Sequence, residues 1–163
     1  MTNLRHVTIH TDGACIENPG PGGYGVILDY EGRRKELSGG FRNTTNNRME
    51  IIAAIIALES LTEKCRVTVF SDSEYLVKAM TQGWAKRWQK RGWKRNKREM
   101  AKNPDLWARL LKACKGHDIE FQWVRGHSAN PENERCDQLA NVAAMRRDLP
   151  ADDGYENPPQ RLF

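Results

Sequence analysis

Two short stretches of the chain, Val7-Thr8-Ile9-His10-Thr11-Asp12 and Val67-Thr68-Val69-Phe70-Ser71-Asp72, have the composition of buried β-strands that end in a carboxylate. Open α/β sheets bind their ligands at the carboxyl ends of strands, so both aspartates stand where a ligand is expected. If the two strands are neighbours, two negative charges lie side by side. That arrangement costs free energy unless a cation neutralises it.

Around these stretches the sequence predicts five strands and four helices. Apolar alternation, turn residues and capping residues place strands at about 7–12, 24–30, 34–41, 67–71 and 119–123, and helices at about 45–61, 73–80, 104–116 and 131–145. This order implies an α/β fold, with a mixed five-stranded sheet (an antiparallel hairpin beside parallel strands) flanked by helices. We expect a single domain over residues 1–147. Residues 148–163 are rich in prolines and acids and lack periodicity, so we expect a disordered C-terminal tail there.

Composition favours an ordinary globular domain and excludes several other classes. Of 163 residues, 39% are hydrophobic and 29% charged. The longest apolar run, residues 51–58, is too short to span a bilayer, and no targeting signal is evident, so we expect a cytoplasmic protein without membrane contact. The cysteines are widely spaced and form no CxxC pair, so we expect reduced thiols and neither a zinc site nor a redox pair. They are Cys15, Cys65, Cys114 and Cys136.

Four acids are candidates for a metal site: Asp12 and Asp72 at the strand tips, Glu50 in the first turn of an apolar helix, and Asp137 on the last helix. Mg²⁺ prefers carboxylate, water and phosphate oxygens, and two such ions hydrolyse phosphodiesters in many nucleases. Each acid alone also has an ordinary explanation as a turn or helix-start residue. Their joint placement favours a metal site.

The positive charge is concentrated in one segment. Residues 84–102 contain nine basic residues and one acid, a net charge of +8, while the whole chain carries +5. Three of the five tryptophans lie there as well. The segment is predicted to be partly helical, with Trp84 and Trp88 on one face. A solvated helix with tryptophans against the core is the plain interpretation. We expect both that packing and a charged outer face that binds a nucleic acid.

Two further motifs are weighed differently. Residues 20–25 match GxGxxG, but a strand rather than a helix follows, so a dinucleotide site is rejected. His127 lies in the loop before the last helix, ten residues ahead of Asp137. A lone loop histidine is usually a surface residue. At the predicted active edge of the sheet, His127 is a candidate for proton transfer near neutral pH.

Several motifs occur in a fixed order along the chain. They are Thr11-Asp12-Gly13, Thr44-Thr45-Asn46-Asn47-Arg48-Met49-Glu50, Ser71-Asp72-Ser73, and Gly126-His127 followed by Asn133-Glu134-Arg135-Cys136-Asp137-Gln138-Leu139-Ala140. Together they resemble bacterial type 1 ribonuclease H (ribonuclease HI) over about residues 4–146. The basic segment stands in the place of that family's basic protrusion, so the resemblance implies a ribonuclease H-like sheet with a protrusion at about 84–102.

The resemblance implies an activity and its residues. The activity is endonucleolytic, two-metal cleavage of the RNA strand of RNA–DNA hybrids with Mg²⁺ (or Mn²⁺), leaving 5′-phosphate and 3′-hydroxyl ends. The implied metal ligands are Asp12, Glu50, Asp72 and Asp137, and His127 would assist proton transfer or product release. The implied hybrid contacts are Asn18, Asn46 and Asn47 in the minor groove, Thr45 at a DNA phosphate, and Trp84, Lys86, Arg87, Trp88, Lys90, Arg91, Trp93 and Lys94 in the protrusion.

Three positions depart from the family pattern. Glu74 stands where glutamine is common, Asn130 replaces the second histidine of Gly-His-x-x-His, and Asn43 occupies the position of an arginine, with Arg42 one residue earlier. We expect Glu74 to alter contacts near the metal site and Asn130 to cap the last helix.

Two other functions compete with a hybrid ribonuclease. One is a non-catalytic module that binds hybrids or duplexes through the basic segment, although such a module gains nothing from an acidic cluster. The other is a DNA-processing nuclease with the same sheet, such as a resolvase or an integrase core. The basic protrusion and the asparagine pair favour hybrids. Nothing in the sequence predicts oligomerisation, so we expect a monomer.

Overall fold

The computed structural model describes residues 3–126 and 129–159 of the chain. Its strands are β1 (Arg5–Cys15), β2 (Gly20–Tyr30), β3 (Arg33–Thr44), β4 (Cys65–Ser71) and β5 (Asp118–Trp123). Its helices are α1 (Asn46–Glu59), α2 (Glu74–Thr81), α3 (Trp84–Lys90), α4 (Pro104–Cys114), α5 (Pro131–Ala144) and α6 (Asp153–Glu156). Within the described ranges, no helix is long and apolar enough to cross a membrane. The four cysteines are unpaired.

The strands form one mixed sheet in the order β3-β2-β1-β4-β5. β2 pairs antiparallel with both β1 and β3, whereas β1, β4 and β5 run parallel. The register of β1 and β4 aligns Thr11 with Ser71. Because parallel strands end at the same edge of a sheet, the next residues, Asp12 and Asp72, lie at one edge. The predicted mixed α/β sheet is confirmed.

Helices cover both faces of the sheet. α1 is buried along most of its length and packs on β1 and β2. Side chains of neighbouring strand residues point to opposite faces. A Cβ on Gly22 of β2 would lie 2.9 Å from Met49 of α1, whereas a Cβ on Gly23 would collide with the carbonyl of Ala140 in α5. α1 and α5 therefore lie on opposite faces, and the large apolar core lies on the α1 side.

The glycine-rich stretch at residues 20–25 belongs to β2 and continues as a strand, so it does not form the turn of a dinucleotide site. Its glycines serve packing instead. A Cβ on Gly25 would collide with the carbonyl oxygen of Cys136 and lie 2.8 Å from Cβ of Leu139. Glycine in β2 lets the backbone of α5 rest directly on the sheet.

The basic segment is only partly helical, as predicted. α3 ends at Lys90, and residues 91–103 are irregular apart from one antiparallel bridge between Lys94 and Met100. Trp84 and Trp88 pack against the core from α3.

The expectation of a disordered tail is wrong for residues 148–159. Asp152 is 4% exposed, and the short helix α6 follows it. The N–H of Arg42 in β3 donates to the carbonyl of Pro150 at 2.9 Å. The segment is ordered because the buried Arg48 pairs with Asp152 at 2.7 Å, a contact between residues far apart in sequence.

We predict that Gly25→Ala destabilises the protein, because the new methyl group must displace α5. The expected cost is roughly 1–3 kcal/mol, typical of an overpacked interior, measured by urea unfolding. Gly32→Asn is the matched control, since no atom lies within 4 Å of a Cβ there and Asn tolerates its positive φ. Equal stability of the Gly25→Ala and wild-type proteins would contradict the packing role assigned to Gly25.

Candidate active site

Asp12 and Glu50 meet where the end of β1 contacts the first turns of α1. The N–H of Gly13 donates to Glu50 Oε1 at 2.5 Å and to Asp12 Oδ1 at 2.9 Å. A Cβ on Gly13 would lie 2.6 Å from the backbone nitrogen of Glu50, so this approach requires glycine. Thr45 fixes the start of α1, because its hydroxyl accepts from the N–H of Arg48 at 3.2 Å. One backbone N–H thus bridges two carboxylates.

Asp72 joins this pair from the end of β4. The hydroxyl of the preceding Ser71 donates to Glu50 Oε2 at 3.5 Å and accepts from the N–H of Ser73 at 3.0 Å. Carboxylate oxygens of Asp12, Glu50 and Asp72 all lie within 4.8 Å of one another. The structure therefore brings together three of the four acids singled out in the sequence.

Burial and neighbouring charges both disfavour the charged forms of Asp12 and Glu50. Asp12 is 5% exposed and Glu50 3%. Burial raises the pKa of Asp12, the charge of Asp72 raises it further, and hydrogen bonds with Glu50 and the N–H of Gly13 oppose the rise. Burial likewise raises the pKa of Glu50 well above its ordinary value, and the neighbouring Asp12 adds to the effect. A cation placed between these oxygens would relieve both costs.

Asp137 approaches the same cleft from α5. Its carboxylate lines the cleft together with Asp12, Glu50 and Asp72, beside the tight group that those three form. The side-chain amide of Asn141, one turn further on, donates to Asp137 Oδ1 at 3.0 Å and to its carbonyl at 2.8 Å. The side chain of Asp137 is thus oriented by its own helix.

Asn130 caps α5, as expected, because its Oδ1 accepts from the N–H of Asn133 at 3.1 Å. His127, the candidate for proton transfer, lies outside the described residues, as does Ser128. Gly126, the residue before His127, lies against the site, since a Cβ on Gly126 would be 2.7 Å from Asp72 Oδ2. The chain therefore passes the acidic cluster immediately before His127.

Two of the three asparagines predicted to contact a hybrid line the same cleft, and the third is hydrogen-bonded to one of them. Asn46 and Asn47 open α1 and line the cleft with the acids. Asn18 is exposed, and its Oδ1 accepts from the backbone N–H of Asn46 at 3.0 Å. The loop that carries Asn18 is thereby tied to the start of α1.

The basic segment presents tryptophans inward and charges outward. The rings of Trp84 and Trp88 are 6.3 Å apart, and Trp88 lies 6.0 Å from the fully buried Trp107 of α4. Trp93 is partly buried against the same core. The predicted basic contacts are all exposed: Lys86, Arg87, Lys90, Arg91 and Lys94. Trp107 also donates to the hydroxyl of Tyr75 in the cleft at 3.3 Å, which connects the protrusion to the acidic site.

Sequence reasoning missed three parts of the site: the bridging N–H of Gly13, the hydroxyl of Ser71, and Tyr75. The available signal was adjacency, since Gly13 and Ser71 each neighbour a predicted acid and Tyr75 lies three residues after Asp72. Their contacts depend on which elements the sheet brings together. That information is tertiary.

Two of the positions that depart from the family pattern have clear partners. Glu74 lines the cleft, is exposed, and pairs with Lys78 one turn along α2 at 3.2 Å. Arg42 is exposed and pairs with Glu156 of α6 at 3.0 Å. Both charges are thus engaged within the protein.

Comparison with known proteins agrees with this geometry. The RNase H family model matches residues 4–145. A ribonuclease H of Desulforamulus reducens is 61% identical over 151 residues, 93% of this chain and 95% of the relative. A ribonuclease H of Syntrophus aciditrophicus is 65% identical over 151 residues, 93% of this chain and 87% of the relative.

Solved structures give the same assignment. LC9-RNase H1, a type 1 RNase H with the type 2 active-site motif, superposes with a TM-score of 0.81 at 32% identity, covering 99% of this chain and 84% of the other. LC11-RNase H1, solved with an RNA/DNA hybrid, gives a TM-score of 0.65 at 29% identity and covers 85% of this chain and 96% of the other. The matched family model spans both the acidic cluster and the basic segment, and this chain belongs to the RNase H family.

Proposed function

We propose that this protein is an endoribonuclease that cleaves the RNA strand of RNA–DNA hybrids by metal-dependent hydrolysis, leaving 5′-phosphate and 3′-hydroxyl ends. The observation that carries the proposal is the crowding of the Asp12, Glu50 and Asp72 carboxylates within 4.8 Å at the rim of an open cleft. A cleft that collects negative charge repels a phosphate backbone unless cations are bound there. Family membership and the basic protrusion point to the same chemistry.

The donor set suits magnesium. All four acids offer oxygen ligands, and burial with mutual repulsion leaves Asp12 and Glu50 in need of a counter-charge. Asp12, Glu50, Asp72 and Asp137 would hold two Mg²⁺ ions, which when bound activate a water and stabilise the leaving oxygen. Mn²⁺, which accepts the same oxygen ligands, is a possible substitute.

The protein's own groups orient and bind. Gly13 and Ser71 fix the carboxylates through the hydrogen bonds to Glu50, so the ligand oxygens are held in place before substrate arrives. Asn18, Asn46 and Asn47 contact the minor groove of the hybrid, where the ribose 2′-hydroxyl distinguishes RNA from DNA. Thr45 contacts a phosphate of the DNA strand.

The basic protrusion grips the hybrid away from the chemistry. Its exposed lysines and arginines neutralise phosphates, while the inward indoles hold α3 on the core. His127 assists proton transfer or product release near neutral pH. The protein acts as a cytoplasmic monomer.

A non-catalytic hybrid-binding module is the runner-up function. The exposed charges of α3 alone would suffice for it. Two buried carboxylates with raised pKa values contribute nothing to binding a polyanion, and this observation favours the nuclease.

We predict that Asp12→Asn lowers hybrid cleavage on the order of 10³-fold or more, because a lost metal ligand forfeits several kcal/mol of charge stabilisation in the transition state. Cleavage of an end-labelled RNA–DNA hybrid with Mg²⁺ is compared with RNA–RNA, DNA–DNA and an EDTA control. Hybrid binding should persist. Asp118→Asn, on an exposed position of β5, is the matched control and should stay active. Retained activity of Asp12→Asn, or binding without cutting by the wild type, would contradict the nuclease mechanism.

Asp12→Asn should also stabilise the metal-free protein, and more so at high pH. The pKa of Asp12 is higher in the folded than in the unfolded protein, so the protonated carboxyl stabilises the folded state. That stabilisation is lost as pH rises through the pKa of the folded state. In EDTA we expect a gain on the order of 2 kcal/mol at pH 8.5 and little at pH 4.5, measured by thermal unfolding. Mg²⁺ should stabilise the wild type more than the variant. Equal shifts at both pH values would contradict this account.

Removing charge from α3 should weaken hybrid binding and its salt dependence together. Lys86→Ala with Lys90→Ala is expected to lower the slope of log K against log salt by about one per lysine. Lys35→Ala, an exposed lysine on β3, is the control and should leave the slope unchanged. An unchanged slope in the double variant would remove α3 from the hybrid-binding surface.

A further inference from the structure

The carboxylate of Asp152 joins two residues that flank the start of α1. Its Oδ2 accepts from the hydroxyl of Thr44 at 2.7 Å and from Nε of Arg48 at 2.7 Å. Its Oδ1 accepts from a second guanidinium nitrogen of Arg48 at 2.9 Å. Thr44, Arg48 and Asp152 are 0%, 2% and 4% exposed. The contact is therefore a buried, fully formed network.

Further contacts hold the guanidinium of Arg48 on its other side. Asp105 at the start of α4 accepts from both terminal nitrogens, at 2.9 and 2.7 Å, and Asn103 accepts at 3.3 Å. Gly154 of α6 is in close contact with Arg48 and Asp105, since a Cβ on Gly154 would be 2.7 Å from Arg48 and would collide with Asp105. The segment around Asp152 thus fits the network closely.

Three residues lie between the two anchors that Asp152 holds: Thr45, Asn46 and Asn47. Thr44 ends β3 on one side of them, and Arg48 continues α1 on the other. These three, the capping residue of α1 and the first two residues of the helix, are proposed to contact the hybrid, and Asn47 is exposed. A carboxylate that fixes both flanks fixes the path of the backbone between them.

We propose that Asp152 is a positioning residue for substrate binding: by holding Thr44 and Arg48 it sets Thr45, Asn46 and Asn47 in the geometry that the RNA–DNA hybrid requires. The inference rests on the proposed function. It assigns to the C-terminal segment a part in substrate recognition, separate from the metal site.

Buried ion pairs alone are weak evidence for stability, because desolvation offsets most of their attraction. Preorganisation has a sharper effect on function, since contact residues that are not held in place beforehand must be ordered when the hybrid binds, and this lowers affinity. Loss of this network should therefore appear in hybrid affinity and KM, whereas kcat at saturating hybrid depends on the carboxylate cluster and should remain.

The test uses full-length Asp152→Ala, Thr44→Val and Thr44→Ser. Hybrid affinity is measured by fluorescence anisotropy in an Asp12→Asn background, and KM and kcat are measured with Asp12 intact. We expect Kd and KM to rise about tenfold for Asp152→Ala and a few-fold for Thr44→Val, with kcat within about twofold. Thr44→Ser keeps the hydroxyl and should restore wild-type affinity. Val and Thr are close in shape, so comparing Thr44→Val with Thr44→Ser isolates the hydrogen bond to Asp152. This comparison remains available even if Asp152→Ala fails to fold.

Glu59→Gln is the matched control. It breaks the ion pair between α1 and Arg109 of α4, at the other end of α1, with oxygens 2.6 and 2.9 Å from the guanidinium. Its Kd and KM should equal those of the wild type. The positioning role is overturned if folded Thr44→Val binds as tightly as Thr44→Ser, or if kcat falls in step with affinity. A wild-type protein that neither binds nor cleaves hybrids would instead refute the proposed function itself.

Discussion

The parallel pairing of β1 with β4 is the constraint on which the site depends. A ladder of backbone hydrogen bonds aligns the strands up to Thr11 and Ser71, so the residues that follow cannot separate without breaking the sheet. Ile9 and Val69, both fully buried, pack beneath this ladder. Asp12 and Asp72 therefore cannot move apart to relieve their repulsion, because the sheet holds both strands in place. Preorganised charge of this kind serves catalysis, because no reorganisation is required when the ligand arrives.

The same arrangement destabilises the folded protein. Glu50 lies nearly out of solvent beside two other acids, and it stays there because α1 is anchored by apolar residues on both sides of it. Met49 and Ile51 are fully buried. Burying side chains of this size contributes roughly 1.5–3 kcal/mol each, enough to hold an unfavourable carboxylate between them. The apolar residues of α1 thus hold Glu50 in a position that is unfavourable for its charge.

Local sequence was sufficient wherever the structure follows from periodicity and capping. The strands that lead to Asp12 and Asp72, the start of α1 at about residue 45 and the inward indoles of α3 were all predictable on that basis. Fold and candidate acids therefore followed from the chain. The contact of Gly13 with Glu50 was not predictable, because residues 37 positions apart must first be brought together.

For the C-terminal segment, the sequence predicted disorder where the structure is ordered. Prolines and acids with no periodicity are typical of solvated chain, and Asp152 fits that description until its partner is known. The partner, Arg48, looks like one more exposed basic residue at a helix start. Arg48 is what explains the burial of Asp152, since burying that carboxylate without a partner would cost several kcal/mol. Composition cannot reveal a pairing of that range.

The long span between Arg48 and Asp152 has a consequence for synthesis. The two residues are 104 positions apart, and translation proceeds at about 5–20 residues per second, so Arg48 is added to the chain roughly 5 to 20 s before Asp152. Glu50 and Asp72 join Asp12 early in that interval, whereas Thr44 and Arg48 lack their shared carboxylate until its end. The nascent chain thus acquires three of its four proposed metal ligands early, whereas Asp137 and the carboxylate that sets its grip on the hybrid are added only near the end.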